Sequence, residues 1–205
     1  MKRKYYEFVK VVLFLLLTST NIFASDNIWM TFNKNPNEIN YRVCREQIQT
    51  SNDILKDNTK IWDTPVAVSL VSNNKLYNDF LNLVDRRNPY AVELAIQIYP
   101  FTDAAAREYL CQAVGKTIKT NPTFLLHLLR KYEVDNDREI RCFIGSYPVD
   151  EFTDDVDKNI SETKNRIKFL KTVTSPELIE YREKCVSILS NYKRRLEKLK
   201  KNMNN

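Results

Sequence analysis

The chain has 205 residues, enough for one domain with a continuous core, and a formal charge of +6 from 32 basic and 26 acidic side chains. That charge sits at the ends: the first 24 residues carry +3 and residues 193–201 carry +5, leaving −2 for the rest, so the basic balance is no argument for nucleic-acid binding. Only two glycines occur, Gly115 and Gly145, which argues against turn-rich β folds, Rossmann loops and phosphate-binding loops, since these need glycine where φ is positive or a ligand nears the backbone.

Lys2, Arg3, Lys4 and Lys10 accompany a short apolar core, Val11 to Leu17, and Ile22-Phe23-Ala24 ends in a small residue suited to cleavage. A signal peptide over residues 1–24 is expected, with an uncleaved N-terminal anchor as the alternative. The apolar run is too short to span a membrane, which takes about 20 residues. The expected mature protein is a single helical domain, residues 25–205, exported to the periplasm or secreted, with no membrane span.

Apolar spacing then predicts helices. The first covers Asn37 to Thr50, with Ile39, Val43, Cys44 and Ile48 on its inner side. A short segment follows at Pro65 to Val71, with Trp62 packed beneath it. Two helix pairs and a further helix run from Asn73 to about Ser146, and Leu76, Phe80, Leu83 and Val84 repeat at helical intervals in the first of them. Two longer helices, near Glu151 to Lys171 and Pro176 to Lys200, close as an antiparallel hairpin through Thr172 to Ser175. The last carries Leu178, Tyr181, Cys185, Ile188, Tyr192, Leu196 and Leu199 on one seam. Thr64-Pro65, Asn88-Pro89, Asn121-Pro122 and Ser175-Pro176 each set a capping residue before a proline suited to a first turn. The two glycines fall near helix ends, where a C-terminal cap would use them.

The middle of the chain repeats itself. Residues 88–99, from Asn88-Pro89 to Tyr99, recur 33 residues later as 121–132, from Asn121-Pro122 to Tyr132. Arg107 to Gly115 is echoed by Arg138 to Gly145, with Arg107, Glu108 and Cys111 matched at an offset of 31. Periods of this length suggest stacked helix pairs. In this organisation residues 73–148 resemble HEAT-like α-solenoids, and the Asn-Pro-capped helix is similar to those of uncharacterised exported bacterial helical proteins. The fold class expected is all-α: a short solenoid-like stack with a long C-terminal helical hairpin.

Candidate chemistry is thin, and no catalytic, cofactor or metal residue is assigned. His127, the one histidine, stands between Leu125-Leu126 and Leu128-Leu129 and reads as a packing residue. An enzyme with a site assembled around His127 and Asp135, Asp137 or Glu139 is the alternative. The acidic run Asp150, Glu151, Asp154, Asp155 and Asp157 lacks the glycine and terminal glutamate of a calcium loop. Opposite Arg166, Lys168 and Lys171 it reads as dipole complementation. The basic stretch Lys193 to Lys201 reads as a solvated, frayed tail.

The function expected is that of an exported, non-enzymatic helical-repeat protein that binds an unidentified protein partner, in one version a periplasmic immunity protein against a secreted toxin. Four cysteines, Cys44, Cys111, Cys142 and Cys185, are disulfide candidates in an exported chain, with four reduced thiols as the alternative. Cys111 and Cys142 hold equivalent places in successive repeat units, which sit side by side in a stack, so these two are expected to pair. Cys44 and Cys185 would then pair with each other.

Overall fold

The computed structural model describes residues 28–55, 65–146 and 155–203. The expected signal peptide, Trp62, Thr64, Asp150, Glu151 and Asp154 lie outside the described residues. Among those described, all regular structure is helical, as the glycine-poor, helix-spaced sequence predicts. We number the helices α1 (28–34), α2 (Glu38–Leu55), α3 (Pro65–Ser72), α4 (Asn74–Asp85), α5 (Pro89–Ile98), α6 (Ala104–Gly115), α7 (Pro122–Lys131), α8 (Asp137–Gly145), α9 (Val156–Lys171) and α10 (Ile179–Met203). Short 3-10 turns at Tyr99–Phe101, Lys116–Lys119 and Pro176–Leu178 join some of them.

The described chain divides into two compact units, residues 28–80 with Pro100–Asp103, and Leu81–Tyr99 with residues 104–203. In the first, Trp29, Phe32 and Phe80 are fully buried and pack edge-on or tilted, with ring centroids 5.4–6.5 Å apart. The Trp29 indole donates to the Val66 carbonyl at 2.9 Å, so its polar edge is satisfied inside the core. On α2, Tyr41, Cys44 and Ile48 form the buried stripe. Ile39 is 73% exposed and Val43 is exposed as well, which corrects the expected inner face by roughly one helical position.

The second unit holds the repeat. The Asn88 side chain accepts from the Ala91 N–H at 3.0 Å and Asn121 from Phe124 at 3.1 Å, so α5 and α7 begin alike. They pack against each other, and so do α6 and α8, which places equivalent helices side by side. Glu93 of α5 accepts from Lys131 and Tyr132 at the end of α7, tying the pair together. Helices α9 and α10 form the expected antiparallel hairpin, with Lys200 near the end of one paired to Asp157 at the start of the other.

Three local expectations change. Ser175-Pro176 opens a 3-10 turn without a side-chain cap, and α10 starts only at Ile179. Neither glycine has positive φ. The left-handed caps belong instead to Arg87 and Glu133. Asn88 and Arg87 donate back to Leu83 and Val84, and Val134 and Glu133 to Leu129 and Arg130, the paired bonds of a Schellman ending after α4 and α7. Finally, the basic stretch from residue 193 continues α10 as helix to Met203, with Leu196 buried.

Candidate binding groove

Gly115 explains how α6 and α8 come so close. A Cβ there would stand 2.7 Å from the Phe143 carbonyl oxygen, so only glycine allows the backbone of α8 this near. One helical turn before it, Cys111 is bonded to Cys142 across the same seam, with Cα atoms 5.4 Å apart, inside the range for a disulfide. The pairing expected from the repeat is therefore the one present. Cys44 and Cys185 are not bonded to each other, contrary to expectation. Each is a buried free thiol, Cys44 in the first unit and Cys185 in the second, acting as a small apolar group. Burial pushes both thiols up to about 12, which keeps them protonated and unreactive at neutral pH.

Behind the seam, Arg166 is buried although its position in α9 reads as a solvated helix end. Its Nη1 donates to the Ile144 carbonyl at 2.7 Å, satisfying one of the orphan carbonyls at the end of α8. Its Nε pairs with Glu162 at 3.3 Å, and Lys119 holds the same carboxylate oxygen at 2.8 Å. A buried guanidinium held by a carboxylate and a carbonyl fixes α8 against α9.

With α6, α8 and α10 held in this way, an open groove of about 790 Å³ lies along them. Arg107 and Glu108 come from α6, Arg138, Glu139 and Arg141 from α8, and Tyr192 from α10. Asn136, Ser146, Asn159 and Cys142 also line it, so the disulfide belongs to its wall. A second cavity of about 280 Å³ shares Arg138, Arg141 and Tyr192 and adds Asp137, Ile188, Asn191 and Arg195. The tyrosines act as platforms. The Arg107 guanidinium lies over the Tyr99 ring at 5.4 Å and donates to the Tyr99 carbonyl at 3.1 Å, while Arg141 lies over Tyr192 at 6.0 Å. Burial first, and then the Glu139 carboxylate, raise the Tyr99 hydroxyl above its ordinary value against the opposing pull of Arg107 and Arg138, so it stays a neutral donor.

The other candidates lie elsewhere. His127 is exposed on α7 and lines neither cavity. Of its suggested partners, Asp135 lies near Lys184 at 3.9 Å, Glu139 lines the groove and Asp137 the smaller cavity, both on α8. Asp155 caps α9 by accepting from the Lys158 N–H at 3.0 Å, a bond that holds its carboxyl below the ordinary value, and Asp157 pairs with Lys200. Among the described residues no group of three or more histidine, cysteine or acidic side chains is placed to hold a metal, and no helix is long and apolar enough to cross a membrane. Sequence reasoning missed the groove because its arginines come from helices far apart in the chain and each reads singly as a solvated charge. No protein-family model, curated protein or solved structure matches the chain.

Proposed function

We propose that this is an exported, non-enzymatic helical protein that binds another protein through the α6–α8–α10 groove. The observation that carries the reading is the groove's lining, in which arginines are laid over tyrosine rings along an open, polar channel. Arginine and tyrosine are the side chains that most often anchor protein interfaces, because each offers large contact area with directed hydrogen bonding. A disulfide in the wall of that channel is compatible with an oxidising compartment, which supports export. One specific form of this role is an immunity protein guarding the periplasm against a toxin.

The test is affinity capture of the full chain from periplasmic extract, followed by native mass spectrometry and hydrogen exchange of the captured complex. A stoichiometric protein partner that protects α6 and α8 is the expected result, and a toxin gene beside this one would select the immunity role. Recovery of no stoichiometric partner under several conditions would overturn the reading.

A further inference from the structure

Several cations outside the groove are already paired. Lys75, Lys116, Lys119, Lys131 and Lys200 each hold a carboxylate within 3 Å. Arg138, Arg141 and Arg195 form no ion pair among the described residues, as is true of several other surface cations, but these three are exposed together around the smaller cavity. Arg138 and Arg141 are three residues apart on α8 and so project from one face, and Arg195 joins them from α10. The Arg141 guanidinium lies over the Tyr192 ring at 6.0 Å from its centroid. Three guanidinium groups lining one cavity beside a single acid leave an excess of positive charge, which an incoming carboxylate would offset through bidentate hydrogen bonds.

Resting on the protein-binding role above, we propose that this arginine cluster receives the side-chain carboxylates of an acidic segment of the partner protein, the rest of that segment lying along the larger groove. Among the described residues Asp137 is the only acid lining the smaller cavity, against three arginines. The larger groove, by contrast, alternates Arg107 and Arg138 with Glu108 and Glu139 and adds Asn136, Ser146 and Asn159. Such a mixed lining matches the donors and acceptors of a peptide backbone better than it matches a bare phosphate. A lipid surface would need apolar anchors beside the arginines, but Leu199 and Met203, the exposed apolar residues at the end of α10, line neither cavity.

The experiment titrates the oxidised full chain with a fluorescent glutamate-rich peptide, its glutamine counterpart, inorganic phosphate and phosphatidylglycerol vesicles. The glutamate peptide is expected to bind at least about tenfold more tightly than the glutamine one, with affinity falling as salt rises. Arg138→Gln with Arg141→Gln should lose about tenfold or more in affinity, and Arg195→Gln several-fold. Arg141→Lys, which keeps the charge and loses the fork, should give a loss between wild type and Arg141→Gln. Lys198→Gln, outside both cavities, should bind as wild type. Circular dichroism and an intact disulfide establish that each variant is folded. Equal affinity for the two peptides, wild-type binding by the double variant, displacement of the peptide by equimolar phosphate, or binding to vesicles alone would each overturn the proposal. A captured partner that still binds the double variant would leave the protein-binding role standing while removing this one. Peptide binding without any captured partner would leave the cluster's preference for carboxylates standing while removing the protein-binding role and, with it, the acidic segment of a partner as occupant.

Discussion

At Gly115 the reason for glycine is contact, not conformation. Its backbone is ordinary right-handed helix, with φ −59° and ψ −23°, so the residue gains nothing from its freedom to adopt positive φ. Helix propensity alone favours Gly115→Ala by about 1 kcal/mol. The added methyl, however, would meet the Phe143 carbonyl oxygen at 2.7 Å and Arg166 Nη1 at 3.0 Å. Neither can yield cheaply, because one is backbone and the other is held on the Ile144 carbonyl. We therefore expect Gly115→Ala to lower the stability of its unit by about 2 kcal/mol, in the range of an overpacked core. Urea denaturation measures it, and a variant as stable as wild type would remove the close-approach argument. The sequence drew attention to both glycines but suggested caps, since spacing near a helix end cannot distinguish a left-handed turn from a tight crossing. Arg166 was misread for a related reason: a charge near a helix C-terminus normally complements the dipole, and only the packed structure turns it onto the end of a neighbouring helix.

Between elements, the repeat was the legible part. Matching caps at Asn88 and Asn121 and an offset shared by two cysteines placed equivalent helices together, and the Cys111–Cys142 bond follows from that placement. What pattern could not supply is the polar half of the packing, because Glu162 and Arg166 occupy buried positions of α9 that periodicity reserves for apolar side chains. The bond closes a separation of 31 residues, for which loop-closure entropy gives about 3–4 kcal/mol of stabilisation. Substituting both cysteines with alanine should thus lower the melting temperature and raise hydrogen exchange in α6 and α8. Exchange in α2, which belongs to the other unit, should stay as it was. If α6 and α8 exchange no faster in the variant, the glycine contact and Arg166 suffice to hold the seam and the disulfide adds little.

Over the whole molecule, each unit encloses one free thiol that burial keeps protonated well above its ordinary pKa. The pKa values of Cys44 and Cys185 are raised from 9.0 to about 12, chiefly by burial, and that of the Tyr181 hydroxyl is raised for the same reason while it donates to the Val134 carbonyl. Raised values in the folded state mean that native thiols keep their protons when unfolded ones have lost them. Below pH 9 the two states bind these protons equally, so stability does not depend on the thiols there. From pH 9 towards 12 the unfolded chain is deprotonated and the native chain is not, so stability falls by about 1.4 kcal/mol per pH unit for each thiol. Cys44→Ala should flatten this alkaline decline in the first unit, and Cys185→Ala should flatten it in the second. Urea titrations on either side of pH 9, followed by hydrogen exchange in each unit, measure the effect. A wild-type midpoint unchanged above pH 9, or native thiols alkylated as fast as unfolded ones, would contradict the buried, unpaired state of both. In an oxidising compartment that same burial keeps Cys44 and Cys185 from exchanging with the Cys111–Cys142 bond, since exchange requires an accessible thiolate.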